Sequence, residues 1–261
     1  MAEEQLDSAL GKLQDIEKEI QQADSKVENF KTDLFRPIYE RRRTYLMQVP
    51  KFWYVVFAQH EDFQEYIRLE DMPFLEKIDD LYVEFWTKPN KKVTIENVEI
   101  EVPSKGFDLT ISFKGSNDLP DQSITKTFEW VLKEQGERNL ESEPVKIKWP
   151  ASMNGINPSL IRDKAKEENR AITSAEKKAY RLGMRSFFAF FSWTGKKPGK
   201  EFRNGEELAA LIAEDIFPAA LDYYVLAMPG LGDNEEEEDV ESEEELDLSD
   251  LEEPDRKKQK V

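Results

Sequence analysis

Residues 4–35 read EQLDSALGKLQDIEKEIQQADSKVENFKTDLF. Leu6, Leu10, Leu13, Ile16, Ile20, Ala23, Val27, Phe30 and Leu34 recur in steps of 4, 3, 3, 4, 3, 4, 3 and 4, a heptad seam with one stammer near Ile16. The positions between them are mostly Glu, Gln, Asp, Lys and Ser. The pattern predicts one helix of about 48 Å at 1.5 Å per residue. So narrow a stripe needs a long partner, and no second segment of this length exists in the chain. The partner is a second copy or the helix's own globular body, and the narrowness of the seam suits a coiled-coil homodimer. Leu13, Ile16, Ile20, Ala23, Val27, Phe30 and Leu34 are its expected interface.

Outward from this helix, Pro37 is expected to kink or end it, with a second helical stretch carrying Ile38, Tyr45, Leu46 and Val49. Pro50 suits the first turn of a third helix that buries Trp53, Val56 and Phe57, with Phe63 and Ile67 beyond. His60 falls on that face and reads as a packed residue without chemistry. From residue 81 the period changes to two. Leu81–Trp86 is the expected first strand, and Val93 and Ile95 alternate before the parity slips between Asn97 and Val98, ahead of Ile100 and Val102. Phe107, Leu109, Ile111 and Phe113 alternate with polar residues. Ile124, Phe128, Trp130 and Leu132 share one parity, and Val145, Ile147 and Trp149 alternate with lysines. This predicts an antiparallel sheet with one covered face, hence an α+β domain over residues 37–230 behind a dimerisation helix at 1–36. Arg162 to Arg185 holds eight bases and four acids, read as a basic loop or a solvated helix. Asn204 with Glu207 has capping-box spacing; Leu208, Leu211, Ile212 and Ile216 face inward, and Pro218 opens a helix with Leu221, Tyr224, Val225 and Met228. Glu207 and Glu214, seven apart, are expected on one outward face, flanked by Glu206, Asp215 and Asp222.

The chain of 261 residues has 55 acids against 37 bases, a net charge of −18. The excess sits at the end. Residues 233–255 hold 15 acids and no base, Glu235, Glu236, Glu237, Glu238 and Asp239 among them, and are too poor in apolar residues to fold alone. Residues 231–255 therefore read as a disordered acidic tail, either solubilising or a sink for basic proteins. After Pro254, Arg256, Lys257, Lys258 and Lys260 fit a nuclear localisation signal at 256–261. There is no cysteine and only one histidine, which excludes disulfides and the usual zinc sites and argues against triad chemistry. Gly195–Lys200 resembles a phosphate-binding loop but has glycines four apart and Glu201 where Ser or Thr should stand. No carboxylate pair is distinguished, so no enzyme, cofactor or metal is expected. The longest apolar run, Phe52–Ala58, is far short of the roughly 20 residues that span a bilayer, and no signal peptide is visible, so a soluble intracellular protein is expected.

Val49-Pro50-Lys51-Phe52-Trp53, the stretch Val145–Trp149, the run Ser186–Phe191 and Glu214-Asp215-Ile216-Phe217-Pro218 followed by Tyr223-Tyr224 resemble the nucleosome assembly protein (NAP/SET) family of histone chaperones. The order of long helix, sheet, helices and acidic tail matches as well. The resemblance implies a headphone-shaped nuclear homodimer that binds core histones, those of the central tetramer foremost, through its acidic surfaces. Its helices over 204–228 would line the concavity. It also implies partnership with a histone acetyltransferase, and no sequence-specific contact with nucleic acid. A SET-type scaffold or phosphatase inhibitor is the alternative.

Overall fold

The structure, a computed structural model, describes residues 2–95, 98–133 and 137–228. Helix α1 runs without interruption over Ala2–Leu46, about 68 Å long at 1.5 Å per residue. Pro37 lies inside it and does not end it. The missing N–H and the ring clash cost about 3 kcal/mol, and contacts with the body on both sides of the proline offset this. Arg36 Nε lies 3.5 Å from Glu84, and the Tyr39 ring packs edge-on against Phe217 at 4.9 Å. Arg42 donates to the carbonyls of Phe217 and Pro218 at 2.6 and 2.9 Å, and Arg43 donates to Asp80 through Nε at 2.9 Å. The helix is thus pinned along its last third and passes straight through the 36/37 position.

After Pro50 the chain forms α2 (Phe52–Gln59), α3 (Glu61–Tyr66), a single 3-10 turn at Leu69–Asp71 and α4 (Met72–Leu75). Phe52, Trp53, Val56, Phe57 and Phe63 are buried, as their spacing predicts, and Ile67 is half-buried. Four antiparallel strands follow in sequential order: β1 (Ile78–Ile95), β2 (Val98–Phe113), β3 (Gln122–Leu132) and β4 (Arg138–Ser142). Strand β1 extends well past the expected Trp86, and Ile95 pairs with Val98; Glu96 and Asn97 lie outside the described residues. One face is the core: Leu81 opposes Ile111, Val83 opposes Leu109, Phe85 opposes Phe107, and Phe107 and Ile111 oppose Phe128 and Ile124. The other face is polar, with Thr110–Thr125 and Ser112–Ser123 hydroxyl pairs at 2.8 Å. The alternating stretch Val145–Trp149 is not a strand. It lies extended and is held singly: Val145 N–H donates to the Phe191 carbonyl at 2.8 Å, while the Gln122 side chain bonds both the N–H and the carbonyl of Lys148. Period two records which side chains turn inward, and one docked extended segment satisfies it without a ladder.

The core is closed by α7 (Phe187–Phe190), whose phenylalanines are all buried, by α8 (Gly205–Ala210) and by α9 (Ala220–Leu226). The basic stretch is two helices, α5 (Pro158–Glu167) and α6 (Ser174–Gly183), not a loop. Asn204 forms no side-chain cap. It adopts φ 55°, ψ 38°, and the nearby Glu206 carboxylate instead accepts the Leu140 N–H at 2.9 Å. Helix α8 continues into a π-helical turn over Leu211–Ile216, marked by the bond from Phe217 N–H to the Ile212 carbonyl. Its buried residues, Leu208, Ala209, Ile212, Ala213, Ile216 and Phe217, repeat every four positions. A π turn carries one extra residue, so Glu207 comes into line with Asp215 instead of Glu214. Leu221, expected to be buried, is 54 % exposed.

Candidate interaction surfaces

Two surfaces stand out. The first is the α1 seam. Leu13, Ile16, Ile20, Val27, Phe30 and Leu34 are uncovered in the single chain, from 49 % exposed at Ile20 to 70 % at Phe30, and Ala23 is exposed with them. The body touches a different side of the helix, where Phe35 and Tyr39 line a groove of about 540 Å³ against Phe85, Trp86 and Trp130 of the sheet. A row of exposed apolar side chains this long is a surface awaiting a partner.

The second is acidic, and it keeps three of the five body acids the sequence suggested. Glu206 is spent on the edge of β4. Glu214, still exposed, lines the groove beside α1, where partial burial raises its pKa and Lys105 opposes the rise. Glu207, Asp215 and Asp222 instead gather with Asp62 and Glu65 of α3 around two tyrosines. The Tyr66 hydroxyl is held above its usual pKa by burial and then by Glu207, Asp62 and Glu65. Tyr223 is raised by burial, by its hydrogen bond to Asp215, and by Asp62 and Asp222. Asp215 anchors the patch: it accepts from Tyr223 Oη at 2.9 Å and lies 3.4 Å from Nε2 of the buried His60. His60 is thus a packed residue, as expected. Asp62, Glu65, Glu207 and Asp222 remain exposed. Asp62 and Glu65 were missed; the signal was the base-free run Glu61–Tyr66 directly after an apolar helix.

The rest of the described surface offers little chemistry. Glu201 fills the seat of the glycine turn that looked phosphate-like, accepting the N–H groups of Thr194 and Gly195 at 2.5 and 3.0 Å. Among the described residues no cluster of three or more His, Asp or Glu could hold a metal, and no helix is long and apolar enough to cross a membrane. Among the described residues the most perturbed group is Lys126, fully buried on the core face of β3 with the parity of Ile124 and Phe128. Its Nζ donates to the carbonyls of Glu143, Trp193 and Phe191 at 2.8, 2.7 and 3.2 Å. Burial pushes its pKa down to about 7, opposed by Glu201 and Glu143. Glu235–Asp239, the rest of the acidic tail and the basic terminus Arg256–Lys260 lie outside the described residues.

Three comparisons bear on these surfaces. The family described as nucleosome assembly protein (NAP) matches residues 11–226. Vacuolar protein sorting-associated protein 75 of Saccharomyces cerevisiae is 36% identical over 95% of this chain and 94% of its own length. A putative nucleosome assembly protein of Schizosaccharomyces pombe is 28% identical over 88% and 84%. Among solved structures, the crystal structure of the Vps75 histone chaperone superposes with a TM-score of 0.70 at 34% identity, covering 84% of this chain and 98% of that one.

Proposed function

Because the chain belongs to the nucleosome assembly protein family, a family of histone chaperones and not of enzymes, we propose that it is a nuclear histone chaperone working as a homodimer. Two α1 helices bury their exposed seams against each other, and each body then presents its acidic face to core histones. The observation that carries this reading is the convergence of Asp62, Glu65, Glu207, Asp215 and Asp222 around Tyr66 and Tyr223, on a fold shared with the Vps75 histone chaperone. A histone's basic surface is screened there from unproductive contacts, and the histone is released to DNA, the denser polyanion. The tyrosines add flat, partly apolar surface that salt does not screen, so binding outlasts a purely ionic contact as ionic strength rises. Cooperation with a histone acetyltransferase that takes the central-tetramer histones belongs to the same reading, supported by the likeness to Vps75. So does nuclear import through Arg256, Lys257, Lys258 and Lys260. The test is plasmid supercoiling with purified core histones at physiological salt. The protein should convert histone–DNA aggregate into supercoiled plasmid. Supercoiling no better than with an equal charge of polyglutamate would overturn the proposal.

A further inference from the structure

The charge of α5 and α6 opposes that of the molecule. On α6, Lys177, Lys178, Arg181 and Arg185 stand at i, i+1, i+4 and i+8, one exposed stripe extending just past the helix end. The acid of α6, Glu176, is turned away and clasped by Arg170 through two bonds of 2.7 Å. Lys164 and Lys166 of α5 add two more exposed bases, beside the exposed acids Asp163 and Glu167 of the same helix, so the pair of helices keeps a net positive charge. Among the described residues none of these six has a carboxylate within ion-pair distance, whereas Lys196 of the glycine turn is paired with Glu143 at 2.5 Å. Leu160 and Leu182, 46 % and 42 % exposed, lie at the same end of the helix pair, where Arg162 of α5 stacks on Tyr180 of α6. The surface is therefore cationic with apolar insertions.

The same chain holds its complement. Residues 233–255 carry 15 acids and no base, with Leu246, Leu248 and Leu251 spaced among them. We propose that the α5–α6 face is the docking surface for this acidic segment, from its own protomer or from the partner. Reach is not limiting. A segment of this length extends up to about 80 Å, against a body about 40 Å across. Tethering sets an effective concentration in the millimolar range, enough for a contact made of screened charges and a few leucines. Fifteen acids so close also exclude a competing phosphate backbone, which favours the tail over duplex DNA as occupant. The tail is then held until a basic protein draws it off.

The chain lacks cysteine, so dyes can be placed cleanly in the full-length protein with Ser174→Cys and Ser242→Cys, one pair per protomer. Energy transfer should be high in dilute salt and fall roughly threefold as the screening length shrinks from about 10 Å to about 3 Å between 0.1 and 1 M salt. Reversal of Lys177, Lys178, Arg181 and Arg185 to Glu should produce the same fall in dilute salt, with the circular dichroism unchanged. An equal reversal at the exposed Lys146, Lys148, Lys197 and Lys200 should not. Equal effects of both reversals would show that net charge alone holds the tail and overturn the proposal. So would unchanged transfer after the α6 reversal, whether or not that variant loses retention of a short DNA duplex.

Discussion

Lys126→Met tests how the buried ammonium is held. At pH 6 the wild-type lysine is charged and makes three hydrogen bonds to carbonyls, each worth about 1.5–3 kcal/mol because the donor is ionised. Against them stands the cost of burial, which pushes the pKa from 10.5 to about 7. At about 1.4 kcal/mol per unit this is about 5 kcal/mol. Methionine removes both. The Phe191 carbonyl keeps the Val145 N–H and the Trp193 carbonyl keeps the Ser142 hydroxyl, so only the Glu143 carbonyl loses its donor. The variant should fold and lose about 2 kcal/mol at pH 6. The pH dependence is the sharper readout. The folded pKa lies below the unfolded one, so between about pH 7 and 10.5 the unfolded chain holds the extra proton. Stability of the wild type then rises with pH by up to about 1.4 kcal/mol per unit relative to the variant. Urea unfolding of both proteins at fixed concentration should show their difference widening by roughly 2–3 kcal/mol between pH 7 and pH 9. A difference constant across that range would mean the lysine stays charged, and that the three carbonyls outweigh burial.

Two further outcomes follow from the fold. Ile20→Asp with Val27→Asp places carboxylates in the seam at a cost of several kcal/mol if the seam is buried in a dimer; light scattering should report monomer or aggregate, and a dimer of unchanged melting point would refute the interface. Gly106→Ala brings a Cβ within 1.9 Å of the Phe128 carbonyl and 2.7 Å of the Trp86 ring. It should cost about 3 kcal/mol by forcing β2 and β3 apart, and an unchanged urea midpoint would show that the sheet yields there freely.

The sequence reads well where one force dominates. The heptad of α1, the buried face of α2 and the alternation of β2 and β3 all follow from apolar periodicity. The readings fail where tertiary contacts overrule local rules. Pro37 should break a helix, but arginines on its C-terminal side are fastened to Asp80 and to the Phe217 and Pro218 carbonyls. Val145–Trp149 alternates because α7 and Gln122 hold it, not because a neighbouring strand does. The acidic site was half legible. Glu207, Asp215 and Asp222 do share a patch, but the π turn slips the helix phase by one residue and puts Glu214 on the lining of the groove. Asp62 and Glu65 join them only because α3 packs nearby, which no spacing along the chain reveals.

The most direct test of the chaperone account is the affinity for core histones after reversing Asp62, Glu207 and Asp222 to Lys, beside an equal reversal at Glu17, Glu19 and Asp79, exposed acids elsewhere in the chain. Asp215 and Glu206 are left alone because Tyr223 and Leu140 depend on them. The affinity is measured by fluorescence titration at moderate salt, where net charge alone counts for less. The account predicts a loss of tenfold or more, about 1.4 kcal/mol, for the first variant and little change for the second. Equal losses in both would mean that histones read only net charge and that the acidic patch is not a binding site.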